Sequence, residues 1–312
     1  MKPSAFIFPG QGSQYVGMGQ TLVEQFPRAA QLFEQANDIM GLDLRQVCFE
    51  GPVEELKQTN ITQPAIFVHS VILAELLKER GWEPLAVAGH SLGEYSALAA
   101  TGYLSFAEGL QLVKLRGELM FDAGRTHPGT MAAIIGLPED KLDDVLEEAG
   151  AAGVVQAANF NSPGQIAVSG AVEAVRLAMQ LAKEQGARLA KQLPVSGAFH
   201  SPLMEPARVE LSLALDAATI NPGQVPIFQN VTATSNREPD QIRELLKQQL
   251  TSPVLWTRTI ENISRLTQEF IEVGPGKVLQ GLCKRINPDA VTTGVDNAEQ
   301  LSELLKESTD EN

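Results

Sequence analysis

The segment Gly89-His90-Ser91-Leu92-Gly93 constrains the fold more than any other stretch of this chain. An apolar run, Leu85–Ala88, leads directly into it, and Glu94–Thr101 follows with good helix formers. Strand, sharp turn and helix in that order is the setting of the G-x-S-x-G nucleophile elbow. The spacing has a physical reason. A serine at the tip of so sharp a turn needs flanking glycines, because strand and helix pack closely there. The backbone N–H groups that follow can then face an oxyanion. A tight βα turn with a serine N-cap would satisfy the same pattern. The motif becomes chemistry only if a base stands near it.

The rest of the chain reads as an α/β protein with an insertion. Phe6-Ile7-Phe8, followed by Pro9-Gly10-Gln11-Gly12, is a short buried strand running into a Gly-rich loop. Leu22–Met40 and Ala65–Glu79 have helical apolar spacing. Ser105-Phe106-Ala107-Glu108 has capping-box spacing and opens a helix predicted to reach about Met120. From Thr130 the texture changes. Met131–Ile135, Val154–Ala158, Gln165–Ser169 and Arg188–Val195 read as strands, with helices over Glu139–Glu148 and Ala171–Gln185. Asn161-Ser162-Pro163-Gly164 reads as a turn. The order β-α-β-β-α-β is the ferredoxin-like unit. Gly124–Gly129 and Ser196–Ala198 are its expected hinges. The expectation is an α/β-hydrolase-like large domain, residues 1–124 and 198–312, carrying an inserted ferredoxin-like subdomain at 125–197. The end of the chain, about Ser302–Asn312, reads as a fraying polar tail.

Composition narrows the function classes. With 312 residues, 44% of them hydrophobic, the chain can bury a core without disulfides or metal. Cys48 and Cys283 lie far apart and form no C-x-x-C, which fits a reduced, cytoplasmic protein. The apolar run Ala5–Phe8 is too short for a secretory signal. Ala65–Leu77 is interrupted by His69, Ser70 and Glu75 and falls short of the ~18 residues of a membrane span. Acidic residues number 38 against 24 basic ones, a net charge of −14. That argues against a generic nucleic-acid binder and leaves room for a local basic patch. No metal-ligand cluster and no pair of catalytic carboxylates stands out, so no metal is expected.

Four histidines could serve a nucleophilic serine: His69, His90, His127 and His200. His69 lies within an apolar helical stretch and reads as a hydrogen-bonded core residue. His90 adjoins Ser91, so its ring is expected to point away from the hydroxyl. His127 sits in a predicted hinge. His200, where the chain re-enters the large domain, is the best base by elimination and location, although a loop histidine without function fits the same position. Asp122, Asp140, Asp143 and Asp144 fall between Ser91 and His200, none at an obvious strand end. A Ser–His dyad is therefore expected, its histidine oriented by a carbonyl or amide.

Arg116 falls on the apolar stripe of its helix, with Leu112, Leu115, Leu119 and Met120, whereas Lys114 does not. A guanidinium on a core-facing stripe must find an anion. Two partners are open: a carboxylate of the protein, or a carboxylate on the substrate held in a bidentate fork. The second would separate a malonyl from an acetyl thioester.

Several segments together resemble the malonyl-CoA:acyl-carrier-protein transacylases, the stand-alone acyltransferases of fatty-acid synthesis. They are Gly10-Gln11-Gly12-Ser13-Gln14, Gly89-His90-Ser91-Leu92-Gly93-Glu94-Tyr95, Arg116, Asn159–Gln165, Gly197-Ala198-Phe199-His200-Ser201 and Glu272-Val273-Gly274-Pro275-Gly276. They occur in order over nearly the whole chain. The resemblance implies Ser91 as acylated nucleophile and His200 as its base. It implies an oxyanion hole from the backbone N–H groups of Gln11 and Leu92, and Arg116 as the clamp on the malonyl carboxylate. It further implies that the backbone carbonyl of Gln249 steadies the histidine and that Phe199 marks a malonyl-selecting site. Malonyl-CoA is then the donor substrate, and phosphopantetheine arrives on the acyl-carrier-protein partner. No permanently bound cofactor, nucleic acid or membrane is implied, and a monomer is compatible with it. A polyketide-loading acyltransferase and an acyl-thioester hydrolase of the same fold are the alternatives. Since carrier proteins are acidic, attraction to this anionic chain needs a cationic patch, for which Lys277, Lys284 and Arg285 are the candidates.

Overall fold

The computed structural model describes residues 3–310. Among them the strands, in chain order, are β1 (Ala5–Phe8), β2 (Ala86–Gly89), β3 (Gly129–Ile135), β4 (Val155–Ser162), β5 (Gln165–Ala171), β6 (Leu189–Gln192), β7 (Ile227–Phe228), β8 (Ser235–Asn236), β9 (Glu269–Val273) and β10 (Val291–Val295). They form a six-stranded sheet, β10-β9-β1-β2-β7-β8, and a four-stranded sheet, β4-β5-β3-β6.

The larger sheet is parallel except for β8. β1 lies in its middle, paired with β2 from Ala5 opposite Ala86 to Phe8 opposite Gly89. Its alternating side chains enter different cores. Phe6 and Phe8 join Ile66, Phe67 and Leu98, while Ala5 and Ile7 join Val254, Trp256 and Ile260. A parallel strand covered on both faces reads as a continuous apolar run, which is what AFIF is. The helix Thr59–Lys78 is long and apolar enough by composition to cross a membrane, yet it is enclosed by the protein as a core helix.

The smaller sheet is antiparallel throughout. With the helices Leu142–Ala149 and Val172–Glu184 it realises the predicted β-α-β-β-α-β order around its own core of Ile134, Val145, Ile166, Val168 and Val175. It is stitched to the large sheet's domain by main chain. Phe160 N–H donates to the Val254 carbonyl at 2.9 Å, and Val254 N–H to that of Ala158 at 2.8 Å.

Some elements differ from expectation. The stretch 22–40 is two helices, Gln20–Gln25 and Pro27–Met40, with extended Phe26 between them. Pro27 lacks an N–H and its fixed φ suits the first helical position, so the second helix starts there. The helix predicted from Ala65 starts earlier, at Thr59. The segment Asn161–Ser162, predicted as turn, completes β4. The helix capped by the Ser105 hydroxyl, which accepts from Glu108 N–H at 3.1 Å, continues to Thr126. Gly124 is therefore helical, not a hinge. A Cβ there would stand 2.1 Å from the Ser196 carbonyl oxygen, so its role is close approach of two chain segments. The tail is a helix, Ala298–Asp310, because Leu301, Leu304 and Leu305 recur at helical spacing and pack on the core. Residues 311–312 lie outside the described residues.

Candidate active site

β2 ends at Gly89, and the helix Gly93–Ala100 begins immediately beyond the turn. A Cβ on Gly89 would lie 1.8 Å from the Gly93 carbonyl carbon, and one on Gly93 would lie 2.1 Å from the Phe8 carbonyl oxygen. Only glycine fits both positions. Ser91 at the tip has φ 52°, in the left-handed region that L-residues rarely adopt. Asn230 holds it there: its Oδ1 accepts from Ser91 N–H at 2.7 Å, and its Nδ2 donates to the Gly89 carbonyl at 2.6 Å.

His200 is brought to Ser91 from the other end of the insertion. Its Nε2 lies 2.8 Å from Ser91 Oγ. Its Nδ1 lies 2.9 Å from the Gln249 carbonyl and 3.2 Å from that of Ser252. Both are acceptors, so Nδ1 carries the proton and Nε2 presents its lone pair to the serine. The His200 backbone, at φ 56°, is also left-handed, and Gln156 of β4 donates to its carbonyl at 2.6 Å. Burial, then the nearby Arg116 charge, push the His200 imidazole down to about 3. The free site therefore holds a neutral imidazole.

Arg116 is 1% exposed. Its Nη1 donates to Gln63 Oε1 at 2.6 Å. Its Nη2 donates to Gln249 Oε1 and to Ser91 Oγ, each at 3.0 Å. The guanidinium lies over the Tyr95 ring, 5.6 Å from its centre, and Nε has no hydrogen-bond partner. No carboxylate among the described residues lies within ion-pair distance of it. Of the two partners open in sequence, the protein carboxylate is absent.

Gln11, Ser91, Leu92, Arg116, Phe199 and His200 line one cavity of about 340 Å³ between the two sheets. Met131, Asn161, Ala167, Leu193, Val278 and Leu282 line it as well. No other histidine among the described residues hydrogen-bonds to the serine, although His90 lines the same cavity. His90 Nε2 lies 2.8 Å from Asn161 Oδ1, and buried His69 Nε2 lies 2.8 Å from the Asp296 carbonyl. Lys277, Lys284 and Arg285 are exposed on and beside the helix Val278–Ile286, which contributes Val278, Leu279 and Leu282 to the cavity lining.

Five polar residues of the site escaped sequence reasoning: Gln63, Glu94, Gln156, Asn230 and Gln249 in its side-chain role. Four are amides, which carry no charge and no periodic signal. Glu94 offered one clue, a carboxylate in the first turn of a helix otherwise made of small and apolar residues.

A left-handed serine on a strand-to-helix turn, facing an imidazole held by carbonyls, is an acyl-transfer site. The chain belongs to the acyl transferase domain family, whose model matches residues 5–310. Within that family its relatives are narrower. It is 46% identical to the malonyl CoA-acyl carrier protein transacylase of Bacillus subtilis, over 99% of each chain. It superimposes on an acyl carrier protein S-malonyltransferase from Vibrio cholerae with a TM-score of 0.94 and 42% identity, covering 97% of this chain and 100% of that one. A malonyl-transacylase solved in complex with its type II PKS acyl-carrier protein gives a TM-score of 0.95 at 39% identity, over 98% of this chain and 100% of that one.

Proposed function

We propose that this protein transfers a malonyl group from malonyl-CoA to the phosphopantetheine thiol of acyl-carrier protein, as an acyl-carrier-protein S-malonyltransferase of fatty-acid synthesis. The observation that carries the choice of substrate is Arg116: buried, unpaired by any described carboxylate, and 3.0 Å from the Ser91 oxygen. A charge kept out of water this close to a nucleophile needs an anion on the acyl group itself.

The proposed reaction has two half-steps, which the Ser91–His200 contact supports. Ser91 Oγ attacks the thioester carbonyl while His200 Nε2 takes its proton. The oxyanion faces the N–H groups of Gln11 and Leu92, a contribution of ~2.7–4 kcal/mol for one such donor. Collapse breaks the C–S bond, and the imidazolium returns its proton to the departing CoA sulfur. The carrier's thiol then gives its proton to His200, attacks malonyl-Ser91 and leaves the serine protonated again. The Gln249 and Ser252 carbonyls keep the imidazole in the right tautomer throughout. Among the described residues, Nδ1 of His200 faces carbonyls and no carboxylate completes a triad. A thioester is a reactive acyl donor, which suits so weak a base.

Lys277, Lys284 and Arg285, exposed on and beside a helix that helps line the cavity, form the docking face for the acidic carrier. Arg285 also donates to Gln165 Oε1 at 2.5 Å, which fixes it against the small sheet. The buried free thiols Cys48 and Cys283 are in keeping with a cytoplasmic location. The test is donor competition: malonyl-CoA should acylate Ser91 and acetyl-CoA should not keep pace. Equal rates with both would remove Arg116 from the assignment.

A further inference from the structure

We propose that Glu94 is the positioning residue of this site: its buried carboxylate, accepting from Asn230, Gln229 and Gln249, holds the nucleophile's turn and the arginine in register. The proposal rests on the roles given above to Ser91, His200 and Arg116. Glu94 is 1% exposed. Its Oε2 accepts from Asn230 N–H at 2.9 Å and from Gln249 Nε2 at 3.0 Å, and its Oε1 accepts from Gln229 Nε2 at 3.1 Å. The orientation of both glutamine amides is set elsewhere. Gln229 Nε2 also donates to the Ile242 carbonyl, and Gln249 Nε2 to the Ser91 carbonyl, each at 3.1 Å. Carbonyl oxygens cannot donate, so each amide must turn its nitrogen to that side. Glu94 consequently meets donors only, and a group with acceptors only matches them.

Two of the three arms of this hub, Asn230 and Gln249, end on the site. Asn230 holds both the Ser91 N–H and the Gly89 carbonyl. Gln249 holds Arg116 through its side-chain oxygen and His200 through its main-chain oxygen. The position of the charge matters as much as its bonds. Arg116 meets Glu94 through the neutral amide of Gln249 and not by direct pairing. The negative charge thus offsets the buried cation at one remove, and the guanidinium stays available to a substrate carboxylate.

Two variants separate this role from packing. Glu94→Gln keeps the volume and turns an acceptor into a donor that faces donors. Glu94→Asp keeps the acceptors and loses a methylene. Packing alone ranks Gln above Asp, whereas the acceptor hub ranks Asp above Gln. In single-turnover malonylation of Ser91, read by intact mass, Glu94→Gln should lose about 100-fold in rate, more than any change in KM. Glu94→Asp should regain roughly tenfold or more of that loss. Wild-type rates in Glu94→Gln, or Asp slower than Gln, overturn the proposal. If Glu94→Gln does not fold, Asn230→Ala and Gln249→Ala carry the test, each expected to lose roughly tenfold or more. Full activity in either overturns it. Failure of the wild-type protein to form malonyl-Ser91 at all is a different result: it removes the transfer function, and the hub's purpose with it.

Discussion

At the scale of single residues, the site holds a buried guanidinium with no described carboxylate on it and a neutral imidazole beside the serine. His200 is pushed down to about 3, first by burial and then by Arg116, so the active, neutral form persists as pH falls well below the ordinary histidine range. The rate at which a small uncharged sulfonyl fluoride modifies Ser91 should stay flat from about pH 8 to about pH 5. Arg116→Ala removes one of the depressing influences, which are burial, Arg116 and His90, so its acid limb should move upward. A limb near the ordinary histidine value in the wild-type protein would contradict this. Gln249→Glu makes the complementary point. It sets a carboxylate on the Arg116 fork, where the amide oxygen now lies at 3.0 Å. KM for malonyl-CoA should rise roughly tenfold or more, since a charge-assisted pair contributes ~1.5–3 kcal/mol. An unchanged KM in steady-state kinetics would mean that Arg116 does not bind the malonyl carboxylate. Ser91 and Arg116 were legible because each breaks a local rule: a serine between glycines on a sharp turn, a cation on an apolar stripe. Glu94, Asn230 and Gln249 break none, and they meet only when distant segments fold together.

At the scale of elements, the elbow is a steric solution before it is a catalytic one. β1, β2 and the helix Gly93–Ala100 converge so closely that the Phe8 carbonyl occupies the space of a Gly93 side chain. Gly93→Ala should lower stability by about 1–3 kcal/mol through forced displacement, read as a fall in melting temperature, and should slow acylation with it. A variant with unchanged melting would show that β1 and the helix can separate without cost. Strand and helix types were readable from apolar period and turn residues. Boundaries were not, where tertiary contact decided them. Gly124 looked like a hinge, yet it is helical and bare because Ser196 crosses it. The polar-looking end of the chain is helical because three leucines find a core that no local pattern reveals.

At the scale of the whole molecule, two sheets each supply part of one cavity. The large sheet's domain carries the serine and the Gly10–Ser13 loop, and the small sheet contributes lining residues and supports His200 through Gln156. The chain is acidic overall, at −14, but presents exposed cations on and beside the helix Val278–Ile286, which helps line the cavity. Attraction to an acidic carrier should therefore be local and salt-sensitive. Reversing Lys284 and Arg285 to Glu should raise KM for the carrier several-fold and leave acylation by malonyl-CoA intact. Equal loss in both half-reactions would place docking elsewhere. The measurement that bears most directly on the function is intact-protein mass after mixing with malonyl-CoA, followed by holo-acyl-carrier protein. A malonyl adduct should form on Ser91, be absent from Ser91→Ala, and move onto the carrier's thiol. An adduct that disappears into water while the carrier stays unmodified would contradict transfer and make the protein a thioester hydrolase.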